Sequence, residues 1–328
     1  MDRIDRRNFL GTVAVTLAAA PWVTQRANAA AGPSMERITA GVLDVSYVAA
    51  GPLDGPPVLL LHGWPYDIHA FDEVMPMLAA QGFRAIAPYL RGHGPTRFLS
   101  TETMRNGQPA ALAMDALKLM DALKIERAVL AGFDWGGRTA DIVAALWPER
   151  VKGLVAVSGY LIGNQAAGKQ PLAPEAELQW WYQFYFATER GRLGYERNSR
   201  DFNRLIWKLA SPQWKFDDAT FNRSAQAFDN PDHVAIVIHN YRWRLGLVDG
   251  ERQYDAIEQR LAAAPAIGVP TITMEGDANG APHPLPSAYR AKFTGKYEHR
   301  AITGGIGHNL PQEAPRDFAQ AIIDIAKR

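Results

Sequence analysis

The sequence predicts an α/β fold: a mostly parallel sheet flanked by helices, with an inserted helical lid. Three observations carry this expectation. Short all-apolar runs alternate with stretches of helical periodicity, the pattern of strands buried on both faces and joined by crossover helices. A glycine-flanked acid, Gly132-Phe133-Asp134-Trp135-Gly136-Gly137, sits where one such run meets a helix. Residues 160–265 are helical and aromatic, without a convincing buried strand, and are too long to be a structureless loop in a compact domain.

Residues 1–29 stand apart. Arg6-Arg7-Asn8-Phe9-Leu10 is a twin-arginine pattern. The apolar stretch 9–23 is shorter than the roughly 20 residues that span a membrane. Ala27-Asn28-Ala29 is an A-x-A-like cleavage site. Together they predict a twin-arginine signal peptide, delivery to the periplasm, and no stable membrane anchor after cleavage.

The elements then follow in order. Strands are expected at 41–49, 57–61, 83–87, 128–132 and 151–157, and late in the chain at 271–274 and 299–302. Helices are expected at 71–80, 110–123, 136–146 and 315–326. Pro148 ends the third of these. The core is therefore read as residues 30–159 and 266–328, and the lid as 160–265. Residues 164–174, with Gly, Gln and Pro, form the hinge into the lid.

Composition narrows the function. The 328 residues carry a net charge of +1. Without the four arginines and two aspartates of residues 1–29 the remainder stands at −1. That balance lacks the basic patch a nucleic-acid partner requires. There is no cysteine, which excludes disulfides, thiolate zinc sites and thiol nucleophiles. No metal and no cofactor is expected.

The glycine-flanked segment is a G-x-S-x-G nucleophile elbow with Asp134 in the serine position. Its glycines serve a tight turn and close packing of helix on strand. At a helix N-terminus a carboxylate is favoured by the dipole and by free backbone N–H groups. Asp is also a good helix cap, so local evidence alone fits either role. As a nucleophile, an Asp with an ordinary pKa near 4 is already ionised at neutral pH. It can attack an sp³ carbon bearing a leaving group and form an alkyl-enzyme ester, which leaves a histidine only the task of activating water.

With these residues in view, the chain from about residue 39 onward resembles the α/β-hydrolase superfamily. It is most similar to the branch with Asp nucleophiles: epoxide hydrolases, haloalkane dehalogenases and fluoroacetate dehalogenases. His62-Gly63-Trp64-Pro65 resembles that branch's H-G-x-P segment, and Arg91-Gly92-His93-Gly94 its R-G-x-G loop. Tyr89 stands where an Asp is usual, which reads as local structural variation. The resemblance implies an oxyanion hole from the backbone N–H groups of Trp64 and Trp135. It implies His308, in Gly307-His308-Asn309, as the catalytic base. The chain order, Asp then acid then His, is that of the superfamily. The other histidines have ordinary structural readings; His62 belongs to the H-G-W-P turn, and His233 and His239 to a lid helix.

The third triad member is less sharply placed. The late strand is followed by Glu275-Gly276-Asp277-Ala278-Asn279-Gly280. The family's acid usually lies three residues after the glycine, which here is Asn279. An amide can orient a histidine but cannot stabilise an imidazolium as a carboxylate does. Asp277 is therefore the favoured acid and Asn279 the alternative, although Asp277 could instead cap the following helix or brace a turn.

Two lid tyrosines bear on the substrate. Tyr182, in Trp180-Trp181-Tyr182-Gln183-Phe184-Tyr185-Phe186, resembles the first ring-opening tyrosine of epoxide hydrolase lids. Asn240-Tyr241-Arg242 resembles the second such segment. The helix around Tyr241 also follows from the residues themselves. Asn230 is a good N-cap and Pro231 suits the first helical position. Val234, Val237, Ile238, Tyr241 and Leu245 share an apolar face, and Gly246 ends the helix. Two phenols could donate to one epoxide oxygen as the ring opens. The reading is thus a hydrolase acting through an Asp134 ester on a small apolar epoxide. The runner-up is a haloalkane or haloacid dehalogenase. For fluoroacetate the family needs an Arg directly after the nucleophile, where this chain has Trp135, and only Arg138 remains of such a pair. For haloalkanes it needs two halide donors, which Trp135 and one of Trp64, Trp180 or Trp181 could supply. A catalytically idle fold that binds a small ligand is the remaining class.

Overall fold

The computed structural model describes residues 34–328, so the predicted signal segment lies outside the described residues. Among the described residues nine strands form one sheet. In chain order they are β1 (Ser34–Ala40), β2 (Leu43–Ala50), β3 (Pro57–Leu61), β4 (Arg84–Pro88), β5 (Arg97–Phe98), β6 (Ala128–Gly132), β7 (Val151–Val157), β8 (Thr271–Gly276) and β9 (Tyr297–Ile302). The spatial order is β1-β2-β4-β3-β6-β7-β8-β9, with β5 beside β2. From β4 through β9 neighbouring strands are parallel, whereas β1, β2 and β5 add an antiparallel edge. The parallel strands β3, β6 and β7 are nearly all buried, as their apolar runs require. The antiparallel edge is where the sequence was least informative. The sequence carries no clear strand signal for β1, because its residues 35–40 mix polar with apolar side chains and are largely exposed or half-buried.

The core helices are α1 (Val74–Ala80), α2 (Pro109–Ala122) and α3 (Asp134–Leu146), with α13 (Pro315–Ala326) closing the chain. The first helix starts later than residue 71, because Ile68–Phe71 forms a separate 3₁₀ turn capped by Asp67. Between β7 and β8 the chain leaves the sheet for seven helices: α4 (Gln165–Gly168), α5 (Pro174–Gln179), α6 (Trp181–Ala187), α7 (Glu189–Ala210), α8 (Asp218–Ala225), α9 (His233–Arg244) and α10 (Asp255–Ala262). The short helices α11 (Pro286–Tyr289) and α12 (Leu310–Glu313) complete the set. No described helix is long and apolar enough to cross a membrane.

Helix α9 begins two residues after the expected start. Asn230 does not cap it. The Asn230 amide donates to the carbonyls of Gly94 and Thr96, and its oxygen accepts the N–H of Asp232, which makes a turn that pins the lid to the Arg91–Gly94 loop. The far end behaves as expected. Gly246 has φ +69°, its N–H donates to the Trp243 carbonyl, and the Leu247 N–H donates to the Arg242 carbonyl. This is the left-handed glycine termination that satisfies the last helical carbonyls.

The lid is fastened to the core by aromatic and polar contacts. The Trp207 indole N–H donates to the Pro65 carbonyl at 2.7 Å, and its ring stacks on Tyr66 at 5.0 Å. Arg91, fully buried, forks onto Asp115 at 2.6 and 2.7 Å and donates to the Asn106 carbonyl, so the R-G-x-G loop is a structural brace. Tyr89 explains Gly94: a Cβ there would fall 2.4 Å from the Tyr89 ring.

Candidate active site

Parallel strands end on one edge of a sheet, and the loops leaving that edge converge there. Leu61 and Gly132 are register partners at the ends of β3 and β6. The His62-Gly63-Trp64 turn therefore lies directly against the elbow that follows β6. Asp134 is the first residue of α3 and has φ +52°, the left-handed region that a side chain with a Cβ adopts only at a cost of about 1–3 kcal/mol. The surroundings enforce this conformation. A Cβ on Gly136 would sit 2.0 Å from the Leu61 carbonyl oxygen, and one on Gly63 would sit 2.3 Å from the Asp134 Cβ. The glycines are thus the space in which the elbow fits.

Asp134 Oδ1 accepts the Trp64 backbone N–H at 2.8 Å, and Oδ2 lies 3.5 Å from His308 Nε2. Trp135 follows at the second position of α3, where backbone N–H groups have no intrahelical acceptor. Burial alone would raise the Asp134 pKa. His308, the Trp64 N–H and Arg138 outweigh it and hold the carboxyl below its ordinary value, so it is ionised.

Tyr182 and Tyr241 lie close enough to Asp134 for its charge to act on both phenols. Their rings meet edge-on at 5.3 Å, and they pack against Trp64 at 5.5 and 5.2 Å. Burial, then the neighbouring phenol and the Asp134 charge for Tyr241, and the Asp134 charge for Tyr182, push both phenols above their ordinary pKa, so both carry their protons. A cavity of about 300 Å³ is lined by Trp64, Asp134, Trp180, Trp181, Tyr182 and His308, among others. The Trp64 indole is not free within it. Its N–H donates to the Tyr195 hydroxyl at 2.9 Å, which in turn lies 2.8 Å from His233 Nε2. His233 Nδ1 lies 2.8 Å from the Gly92 carbonyl, so that nitrogen carries the proton and Nε2 accepts from Tyr195. The Trp135 indole N–H is buried and has the Tyr241 hydroxyl as a polar neighbour, without a well-formed hydrogen bond to it. The described residues contain no cluster of ligands suited to a metal ion.

His308 is placed through its main chain. Its N–H donates to Ser211 Oγ at 2.9 Å, and Ser211 donates to Glu313 at 2.7 Å. The Glu313 carboxylate also accepts the N–H groups of Gly307 and Asn309, so a single side chain grips the residues on both sides of the histidine. The imidazole packs against Tyr66 and Phe133 at 6.1 and 6.2 Å. Neither Ser211 nor Glu313 stood out in the sequence, although Glu313 lies in the Pro-Gln-Glu-Ala-Pro run just after the histidine.

The orienting acid has to be corrected. Asp277 is exposed, and its carboxylate accepts the backbone N–H groups of Gly304, Gly305 and Ile306 at 3.0, 2.9 and 3.0 Å. Those bonds hold its pKa down and occupy it away from the imidazole. Asn279 does not reach His308 either: its amide donates to Glu275 and Ser158, and its oxygen accepts the Ala281 N–H. His308 Nδ1 is buried without a hydrogen-bond partner. The structure therefore unites Asp134, His308, Trp64, Trp135, Tyr182 and Tyr241, and it leaves Asp277 and Asn279 outside.

Known proteins fit this picture. The family model described as alpha/beta hydrolase fold matches residues 56–204. Over 305 residues the chain is 38% identical to an epoxide hydrolase of Caballeronia sordidicola, spanning 82% of this chain and 87% of that one. It is 33% identical over 213 residues to a haloalkane dehalogenase of Mycobacterium marinum, spanning 61% of this chain and 67% of that one. A solved structure of a candidate epoxide hydrolase from Klebsiella pneumoniae superposes with a TM-score of 0.89 at 64% identity, covering 90% of this chain and 97% of that one. The chain belongs to the α/β hydrolase family.

The corrected placement of Asp277 is testable. Asp277→Asn keeps an acceptor for the glycine loop, so turnover should fall by less than about 10-fold, the scale of one ordinary hydrogen bond. A loss approaching 10⁴-fold, the scale of removing a triad acid, would return Asp277 to the catalytic set.

Proposed function

We propose that this enzyme is an epoxide hydrolase acting through an Asp134 ester. The observation that carries the reading is the pair of protonated phenols, Tyr182 and Tyr241, packed edge-on against each other within reach of the charge of an ionised Asp134. Asp134 Oδ2 attacks an epoxide carbon, the ring C–O bond breaks, and the departing oxygen takes a proton from the phenols. Water, deprotonated by His308, then adds to the Asp134 carbonyl carbon. Oδ1 gathers the negative charge where the Trp64 N–H already points. The acyl C–O bond then breaks, and His308 returns its proton to the departing diol oxygen. The acid formed at Asp134 gives up its proton to restore the phenol as the carboxylate reforms. An alkoxide is a poor leaving group and needs such donors, in the manner of an oxyanion hole.

Halide displacement is the second reading. In its favour is the buried Trp135 N–H, which makes no well-formed hydrogen bond. Against it, Trp64, one of the three indoles that could supply the second donor, already donates to Tyr195. The substrate is expected to be small and largely apolar, given the aromatic walls of the cavity.

A panel of aryl epoxides, aliphatic epoxides and haloalkanes, scored for diol and for halide, separates the two readings. The wild type should release diol. Tyr182→Phe and Tyr241→Phe should each slow epoxide opening by about 10- to 1,000-fold, as for a lost transition-state donor. Full epoxide activity in both variants would make the phenols packing residues, and halide release with no diol would establish the rival.

Export remains part of the proposal, on the strength of the Arg6-Arg7 pattern and the Ala27-Asn28-Ala29 site. N-terminal sequencing of the periplasmic fraction should begin at Ala30. Protein retained in the cytoplasm with Met1 intact would contradict it.

A further inference from the structure

Two guanidinium groups stand behind the phenol pair, and the ring-opening scheme does not yet use them. Arg244 is the last residue of α9, one turn beyond Tyr241. Its guanidinium carbon lies 4.6 Å from the centre of the Trp180 ring and 5.6 Å from that of Tyr241. Trp180 in turn packs on Tyr182 at 5.7 Å. Arg244, Trp180, Tyr182 and Tyr241 thus form a closed ring of contacts. Arg138 sits one helical turn after Asp134 on α3, and its Nε donates to the Leu161 carbonyl at 3.0 Å.

Among the described residues neither arginine forms an ion pair, and both line one cavity of about 620 Å³ that shares Trp180 with the cavity at Asp134. They are also close enough to repel. Burial, and then Arg244, bring Arg138 down to about 10. The acids that act on Arg138 are few. Asp134 is the nucleophile. Asp141 and Glu258 are pushed upward by burial, Asp141 strongly. Glu177, which lines the same cavity, accepts the Leu172 N–H. Holding two like charges together in a partly desolvated place is unfavourable unless something nearby becomes negative. The groups that do so in the proposed reaction are the two phenol oxygens, as they give proton density to the opening epoxide.

We propose that Arg244, backed by Arg138, is a positioning residue for ring opening: its cation stabilises the negative charge that develops on Tyr241 and Tyr182 as they protonate the departing oxygen. The inference rests on the epoxide-opening reading. A cation over an aromatic face is attracted to the ring in the ground state, and more strongly as the ring's oxygen gains charge, which is the differential that accelerates a step. The same residue also suits the negative end of the α9 dipole. The test must therefore separate charge development from helix stabilisation.

The measurement is single-turnover kinetics with styrene oxide, following ester formation and ester hydrolysis separately, in Arg244→Gln, Arg244→Lys and Arg244→Met. Arg244→Gln should slow ester formation by about 10- to 100-fold, in the range of a lost electrostatic partner. Ester hydrolysis, which needs no phenol, should be unchanged. Arg244→Lys should restore most of the rate. In a Tyr182→Phe/Tyr241→Phe background the arginine change should have no further effect. If Arg244→Gln does not fold, Arg244→Met, which keeps stacking surface without charge, supplies the comparison. Equal slowing of both steps, or a Lys variant as slow as the Gln variant, would assign Arg244 to packing and overturn the proposal. So would an effect confined to KM for acidic epoxides, which would make the pair an anion-binding site. A wild type that opens no epoxide would overturn the functional reading itself, and that is seen before any variant is made.

Discussion

The site depends on the strained backbone at Asp134. The residue is held at φ +52° because the strand before it and the helix after it leave only that path, with Gly136 against the Leu61 carbonyl and Gly63 against the Asp134 side chain. The strain does chemical work by position. It projects the carboxylate out of the sheet edge, sets one oxygen on the Trp64 N–H and leaves the other 3.5 Å from His308. A relaxed α-helical Asp at the same point would turn its side chain along the helix surface and lose both partners. Everything else in the site is arranged around that fixed carboxylate.

The second dependence is between lid and core. Trp64 belongs to both. Its backbone serves Asp134, while its indole is held by Tyr195 of α7, which is tied through His233 of α9 to the carbonyl of Gly92. Burial keeps His233 and the neighbouring His62 and His93 well on the neutral side, so this chain is uncharged and persists across the physiological range. The rings of Tyr182, Tyr241 and Phe186 then close over the same tryptophan. Packing of this kind fixes where the phenols sit relative to the carboxylate, which is the geometry that ring opening needs.

What was legible in the sequence follows from how local each signal is. Asp134 could be read because its glycines are dictated by contacts within a few residues and by a single neighbouring strand. The buried strands β3, β6 and β7 could be read because a strand covered on both faces must be apolar throughout. Asp277 misled because a carboxylate after a strand can satisfy two different needs. It met the nearer one, three N–H groups of a glycine-rich turn some 27 residues on, and nothing in its own segment reveals that turn. Asn230 misled in a related way: a good cap sequence was used instead to hold the lid to a core loop. Ser211, Glu313, Tyr195 and Arg244 carry no motif, since each acts across a lid-to-core or loop-to-loop contact that periodicity cannot encode.

The central claim is that Asp134 is alkylated and that water attacks the resulting ester rather than the epoxide. A single turnover in ¹⁸O-labelled water, with enzyme in excess over styrene oxide, tests it directly. The label should appear in the Asp134 carboxylate and be absent from the first diol formed, because the diol's new oxygen comes from the enzyme. Label in the first diol with none in the peptide containing Asp134 would show direct attack by water and contradict the account.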